Sequence, residues 1–168
     1  MSAVADSAHV RIILADYAIV DAAGKLNIVG GGITIIGVNV STGLTAPHAV
    51  AVLVTFDPVF LGESPAVEMS LESEHGELVS LPSAGGVGTP QAIRVGLSDH
   101  LKAPTLPGAL VPPDATRPSV HTVLNFNNGL PLAPGQKYRW RVKVDHTTRD
   151  EWTETFFIPT LAPGPVVG

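Results

Sequence analysis

Glycine and proline interrupt this chain so often that long helices are ruled out. Its 168 residues include 17 glycines and 15 prolines. Glycine costs a helix backbone entropy, and proline lacks the N–H that a helix interior needs. Between these breakers the apolar residues fall in runs of about five to ten, the length of ordinary strands. Mean hydropathy is positive, at +0.29, yet no uninterrupted apolar run approaches the ~18 residues of a membrane span. The pattern predicts an all-β fold in one domain covering residues 1–158.

The stretch from Arg11 to Gly37, RIILADYAIVDAAGKLNIVGGGITIIG, reads as the organising hairpin. One strand is expected over His9–Val20 and a second over Leu26–Val40, joined across Asp21–Lys25 with Gly24 in a left-handed conformation. The first strand is apolar enough to suggest burial on both sides for part of its length. Asp16 inside that run is expected to be paired or to cap a turn. Gly30, Gly31 and Gly32 predict a bulge, a sharp bend or the close approach of another part of the chain. A phosphate-binding loop is excluded here, because no Lys-Ser/Thr and no helix follow.

Further strands are expected over Ala49–Phe56, Ala66–Ser73, Leu78–Leu81, Gln91–Leu97, Val120–Phe126, Lys137–Asp145 and Glu151–Ile158. In Ala66–Ser73 the alternation places Val67, Met69 and Leu71 inward and Glu68, Ser70 and Glu72 toward water. Gly76 is the pivot of the turn that follows. Near the C-terminus Tyr138, Trp140, Val142 and Val144 share one face, with Trp152, Phe156 and Ile158 completing a core-facing set and Phe157 turned the other way. Two tryptophans in phase with the core read as packing rather than as a stacking platform. The whole predicts a two-sheet antiparallel sandwich, immunoglobulin-like or C2-like, with roughly seven to nine strands.

Two segments stand outside that pattern. Residues 98–118 form a long Pro-rich arm or loop, pre-extended by its prolines and carrying apolar side chains that a solvated linker would not need. Residues 159–168 form an extended apolar tail. Leu101, Leu106, Leu110 and Val111 of the arm, with Leu161, Pro163, Val166 and Val167 of the tail, are the candidate partner interface.

Composition narrows the function classes. Net charge is −5, and nucleic-acid binding needs clustered basic residues. The one basic cluster, Lys137, Arg139, Arg141 and Lys143, alternates along a single strand and is expected to face water. Charged residues make up only 15% of the chain, against about 25% in typical soluble domains, which points to apolar surface covered by copies or partners. With no cysteine, disulfides and thiolate metal sites are impossible. His9, His48, His75, His100, His121 and His146 show no metal-ligand spacing. Gly62-Glu63-Ser64-Pro65 only approaches a nucleophile elbow. These features predict a non-enzyme with no cofactor, with protein partners, and with neither nucleic-acid nor membrane binding. The first residues lack the basic and apolar regions of a secretory signal, so synthesis in a host cytoplasm is expected.

The opening LADYAIVDAAGKLNIVGGGITII and the closing PGQKYRWRVKVD and TFFI segments resemble a family of small, functionally undescribed β-sandwich proteins of actinobacteria and their tailed phages. The matching positions are Leu14, Ala15, Asp16, Ala18, Gly24 to Asn27, Gly30 and Gly32 at the start. At the end they are Gly135, Tyr138, Val142 and Phe157. The resemblance implies the sandwich fold and an association with phage genomes, and carries no catalytic residues. The function expected from it is a virion structural protein, most plausibly a capsid decoration or head-accessory subunit. The alternatives are a host-surface or carbohydrate-binding module, recognisable by exposed aromatics, or a small cytosolic β-sandwich protein.

Overall fold

A computed structural model describes residues 2–81 and 91–160. Its elements are a one-turn helix α1 (Ala3–Ser7) and eleven strands. These are β1 (His9–Ala15), β2 (Tyr17–Val20), β3 (Leu26–Val29), β4 (His48–Thr55), β5 (Ala66–Ser73), β6 (Ser80–Leu81), β7 (Gln91–Ala92), β8 (Arg94–Ser98), β9 (Ser119–Phe126), β10 (Gln136–Val144) and β11 (Thr153–Ile158). A three-stranded sheet of order β1-β4-β9 faces a four-stranded sheet of order β11-β10-β5-β8, every pairing within them antiparallel. The chain changes sheet between β4 and β5, between β8 and β9, and again between β9 and β10. That is the Greek-key wiring of an immunoglobulin-type sandwich, and the expected all-β sandwich is what forms.

The core lies between the two sheets. Leu14, Val50, Val52 and Val54 come from one, and Val67, Met69, Leu71, Tyr138, Trp140, Val142, Val144, Phe156 and Ile158 from the other. The two-residue period of β5, β10 and β11 places these side chains inward, as their sequence alternation predicts. Trp140 stacks on Phe126 with ring centroids 5.7 Å apart. The Tyr138 hydroxyl accepts a hydrogen bond from the Ala133 amide at 3.0 Å. A tyrosine that reaches back from the start of this strand to the preceding corner is a recurrent lock in such sandwiches.

His48 is buried at the start of β4, against Phe126 and Phe156. Its Nδ1 lies 2.9 Å from the Ala46 carbonyl and donates to it, and its Nε2 is buried without a partner among the described residues. Burial lowers its pKa below the ordinary 6.5. Below pH 6.5 the unfolded chain therefore binds a proton that the folded chain resists. Stability at this residue is full above that pH and lost as pH falls toward the folded value, with a slope of at most about 1.4 kcal/mol per pH unit. Urea unfolding at pH 7.5 and 5.5 should show this loss in the native chain and a smaller one in His48→Phe. Equal losses would place the acid sensitivity elsewhere.

The opening stretch departs from its expectation. It is not one long buried hairpin. β1 pairs with β4 over its whole length, from His9 opposite Thr55 to Ala15 opposite Ala49. The chain then leaves the sheet at Asp16. Only the short pair β2–β3 forms the hairpin, with Tyr17 opposite Val29 and Val20 opposite Leu26. At its tip Gly24 has φ +77°, and the Asp21 carboxylate accepts from the Ala23 and Lys25 amides. The hairpin lies over the outer face of the three-stranded sheet, where Ala18, Leu26 and Ile28 cover Ala49, Ala51 and Val123. The Asn125 side chain completes the contact by donating to the Ala18 carbonyl at 3.0 Å.

The predicted continuation of the second strand to Val40 also fails. After β3 the chain crosses the edge of the sandwich and joins the other sheet. The Ile36 amide bonds the Phe157 carbonyl at 3.0 Å, and the Phe157 amide bonds the Thr34 carbonyl at 2.9 Å, in a parallel bridge along β11. The glycine triplet makes the crossing possible. Gly30 has φ +64°, and a Cβ there would collide with the Asp16 carboxylate. Asp16 itself is exposed, so its place in an apolar run marks the exit from the sheet.

Candidate interaction surface

Among the predicted interface residues, the structure separates the arm into an anchor and a presented part. Leu101 is only 2% exposed and belongs to the domain's own core, which corrects its assignment to a partner surface. The cause is a reciprocal backbone pair, Gly62 amide to Leu101 carbonyl at 2.8 Å and Leu101 amide to Glu63 carbonyl at 2.9 Å. That pair ties the start of the arm to the corner after the 3₁₀ turn Pro58–Phe60. The far end is tied as well, through the Phe56 amide to the Pro118 carbonyl at 3.0 Å and an Arg117–Asp57 ion pair at 3.0 Å.

Between the two anchors the arm makes two turns, closed by Ala109 amide to Leu106 carbonyl and Ala115 amide to Pro112 carbonyl. Leu106 is 63% exposed and Leu110 fully exposed, while Val111 is half-buried. An anchored, proline-stiffened loop that holds leucines in water is poised to bury them against something else. Leu161, Pro163, Val166 and Val167 lie outside the described residues.

A second apolar surface was not anticipated. The outer face of the β2–β3 hairpin exposes Tyr17, Ile19 and Val29, because the hairpin's other face is spent on the sheet beneath. The apolar character of this segment was visible in the sequence, where it reads as nearly continuous rather than alternating. Which face would be covered was not, since that depends on the hairpin leaving its sheet.

The basic stripe of β10 faces outward as predicted and is largely neutralised. Arg139 lies opposite Glu72, Arg141 opposite Ser70 and Lys143 opposite Glu68 on β5. Arg139 Nε bonds Glu72 Oε2 at 3.0 Å, and Arg141 Nε lies 3.0 and 2.9 Å from the two Glu72 oxygens. Ser70 and Glu72 are buried rather than wet, which corrects the predicted polar face of that strand. The two guanidiniums cover them, an effect of the neighbouring strand that alternation cannot reveal. Farther along, Arg94 of β8 bonds Glu68 and draws its carboxyl below the usual range. His146 sits 3.1 Å from the same carboxylate. The charges of this face are thus largely paired across neighbouring strands.

One polar contact resembles catalytic equipment. Ser64 Oγ lies 2.6 Å from His100 Nδ1, bringing together residues the sequence kept apart. A serine nucleophile needs a base that is itself oriented by a third group. Here the Asp99 carboxylate accepts from the His100 backbone amide at 2.8 Å, and both Ser64 and His100 are exposed at the surface. The pair ties the segment that leads into β5 to the segment that follows β8 rather than assembling a triad. Among the described residues no three His, Asp or Glu side chains are placed to share a metal ion. No helix among them is long and apolar enough to cross a membrane.

The chain matches no protein-family profile, no curated protein and no solved structure.

Proposed function

We propose that this protein is a non-enzymatic assembly subunit that works by burying its arm against another protein. The observation that carries the reading is the pair Leu106 and Leu110, held in water on a loop fixed at both ends. The low charge content and the second apolar face at Tyr17, Ile19 and Val29 support it. Trp140 and Trp152 are buried, which removes the large aromatic platform that a carbohydrate-binding module would present. The resemblance of the two ends of the chain to proteins of actinobacteria and their tailed phages supplies the setting. The assembly is then a virion, and the subunit a capsid decoration or head accessory.

Sedimentation of intact particles from an infected or reconstituted host tests this. The native chain is expected in the particle fraction at high copy number. The double variant Leu106→Asp, Leu110→Asp should remain soluble, with its unfolding free energy unchanged within about 0.5 kcal/mol, as exposed positions allow. A native chain that stays behind as a free monomer overturns the proposal.

A further inference from the structure

A cleft of about 490 Å³ opens beside the start of β1, bounded by the end of β4 and the turn that precedes β11. Its volume falls within the range of small-ligand sites. Three arginines from distant parts of the chain line it: Arg11 on β1, Arg117 just before β9, and Arg149 between β10 and β11. We propose that this cleft binds an oxyanion, the carboxylate or phosphate group of a ligand. The site shares Arg117 with the far anchor of the arm, while the exposed leucines Leu106 and Leu110 take no part in it.

The arginines are held in different ways. Arg149 lies over the Trp152 ring, 5.0 Å from its centroid, and donates to the Asp6 carbonyl at 3.0 Å. Its ion pair with the Asp6 carboxylate, at 3.4 Å, is longer. Arg117 is steadied from one side by Asp57. A guanidinium presents five N–H donors in a planar fork, so one carboxylate leaves donors for a second oxyanion. Arg11 has no ion-pair partner among the described residues and stands beside Leu53, its cross-strand neighbour on β4.

The remaining lining gives the cleft two chemical halves. Val10 and Leu53 form an apolar part on which the carbon portion of a ligand can lie, with the buried Trp152 behind Arg149, and His9 and Thr55 add polar groups. Glu151 also lines the cleft and repels an anion from its own side, directing a negative group toward Arg11. The contrast with the stripe on β10 is the deciding point. There Arg139 and Arg141 close on the buried Glu72, whereas Arg11 is left without a carboxylate.

The test titrates the full-length chain with inorganic phosphate and, separately, with glutarate, each against sodium chloride at matched ionic strength. Amide and indole NMR signals of Arg11 and Trp152 are the readout. At least one of the two anions should give saturable shifts that chloride does not, and which one does so identifies the ligand group. Arg11→Gln should weaken that binding about tenfold, as expected for losing a charge-assisted hydrogen bond. Arg117→Gln is a second exposed-site variant that should weaken it as well. Shifts no larger than those with chloride, or saturable binding unchanged in both variants, would overturn the proposal.

Discussion

Replacing Trp140 by alanine is expected to cost about 3–5 kcal/mol of folding free energy, the usual penalty for emptying a large aromatic site. Typical domains have only about 5–15 kcal/mol in total, so this single change should bring the chain close to unfolding. Trp140 is fully buried at the centre of β10 and stacks on Phe126 of β9, linking the two sheets. A second variant isolates packing from polarity. The indole Nε1 is buried without a partner among the described residues, and an orphaned donor carries a desolvation cost. Trp140→Phe removes that donor and keeps a ring, so its cost should stay below about 1.5 kcal/mol, the range of well-tolerated apolar swaps. Urea unfolding monitored by far-UV circular dichroism measures both. Similar losses for the two variants would mean that shape rather than ring burial sets the energy of the site.

Glu72→Gln should cost about 2–3 kcal/mol, somewhat less than the usual loss on removing one partner of a fully buried ion pair. The Glu72 side chain is only 9% exposed and serves two arginines, Arg139 and Arg141, whose side chains are 30% and 13% exposed. Removing the shared carboxylate leaves two neighbouring guanidiniums facing each other over a poorly solvated strand. The partial exposure of Arg139 is why the expected loss sits below the upper range for buried ion pairs. Because the new term is repulsion between like charges, raising salt from 50 mM to 500 mM should narrow the gap between native and variant proteins. A gap insensitive to salt would assign the loss to packing. The exposed pair Lys137–Glu74, at 3.5 Å with both side chains more than half exposed, should show almost no effect when Glu74 is changed to Gln.

The contrast between these two carboxylates shows what a single strand's pattern can and cannot disclose. Alternation within β5, β10 and β11 located the inward residues, because a period of two follows from strand geometry alone. Alternation also assigned Glu72 to the outer face, correctly. Its burial there depends on Arg139 and Arg141, which reach it only through a pairing between residues far apart in sequence. The opening stretch failed for the same reason. Its apolar residues identified strands, while the choice of partner strand was settled by Asp16 and the crossing at Gly30. Leu101 could not be told from Leu106 and Leu110 by composition, because the difference is two backbone hydrogen bonds to Gly62 and Glu63. The arginine cleft was invisible for a plainer reason. Its members lie on three separate segments, and none carries a local motif.

The way the β2–β3 hairpin joins the sandwich has a further consequence. The Asp16 amide bonds the Val29 carbonyl, and the Gly32 and Ile33 amides both bond the Leu14 carbonyl, so the hairpin enters and leaves at nearly one point. Such a piece behaves as an appendix to the main chain path. A lineage could lengthen, shorten or decorate its tip between Asp21 and Lys25 while β1 and the strap along β11 kept their places. The tip is thus the natural graft point of the molecule, where foreign sequence can be displayed without re-threading the fold.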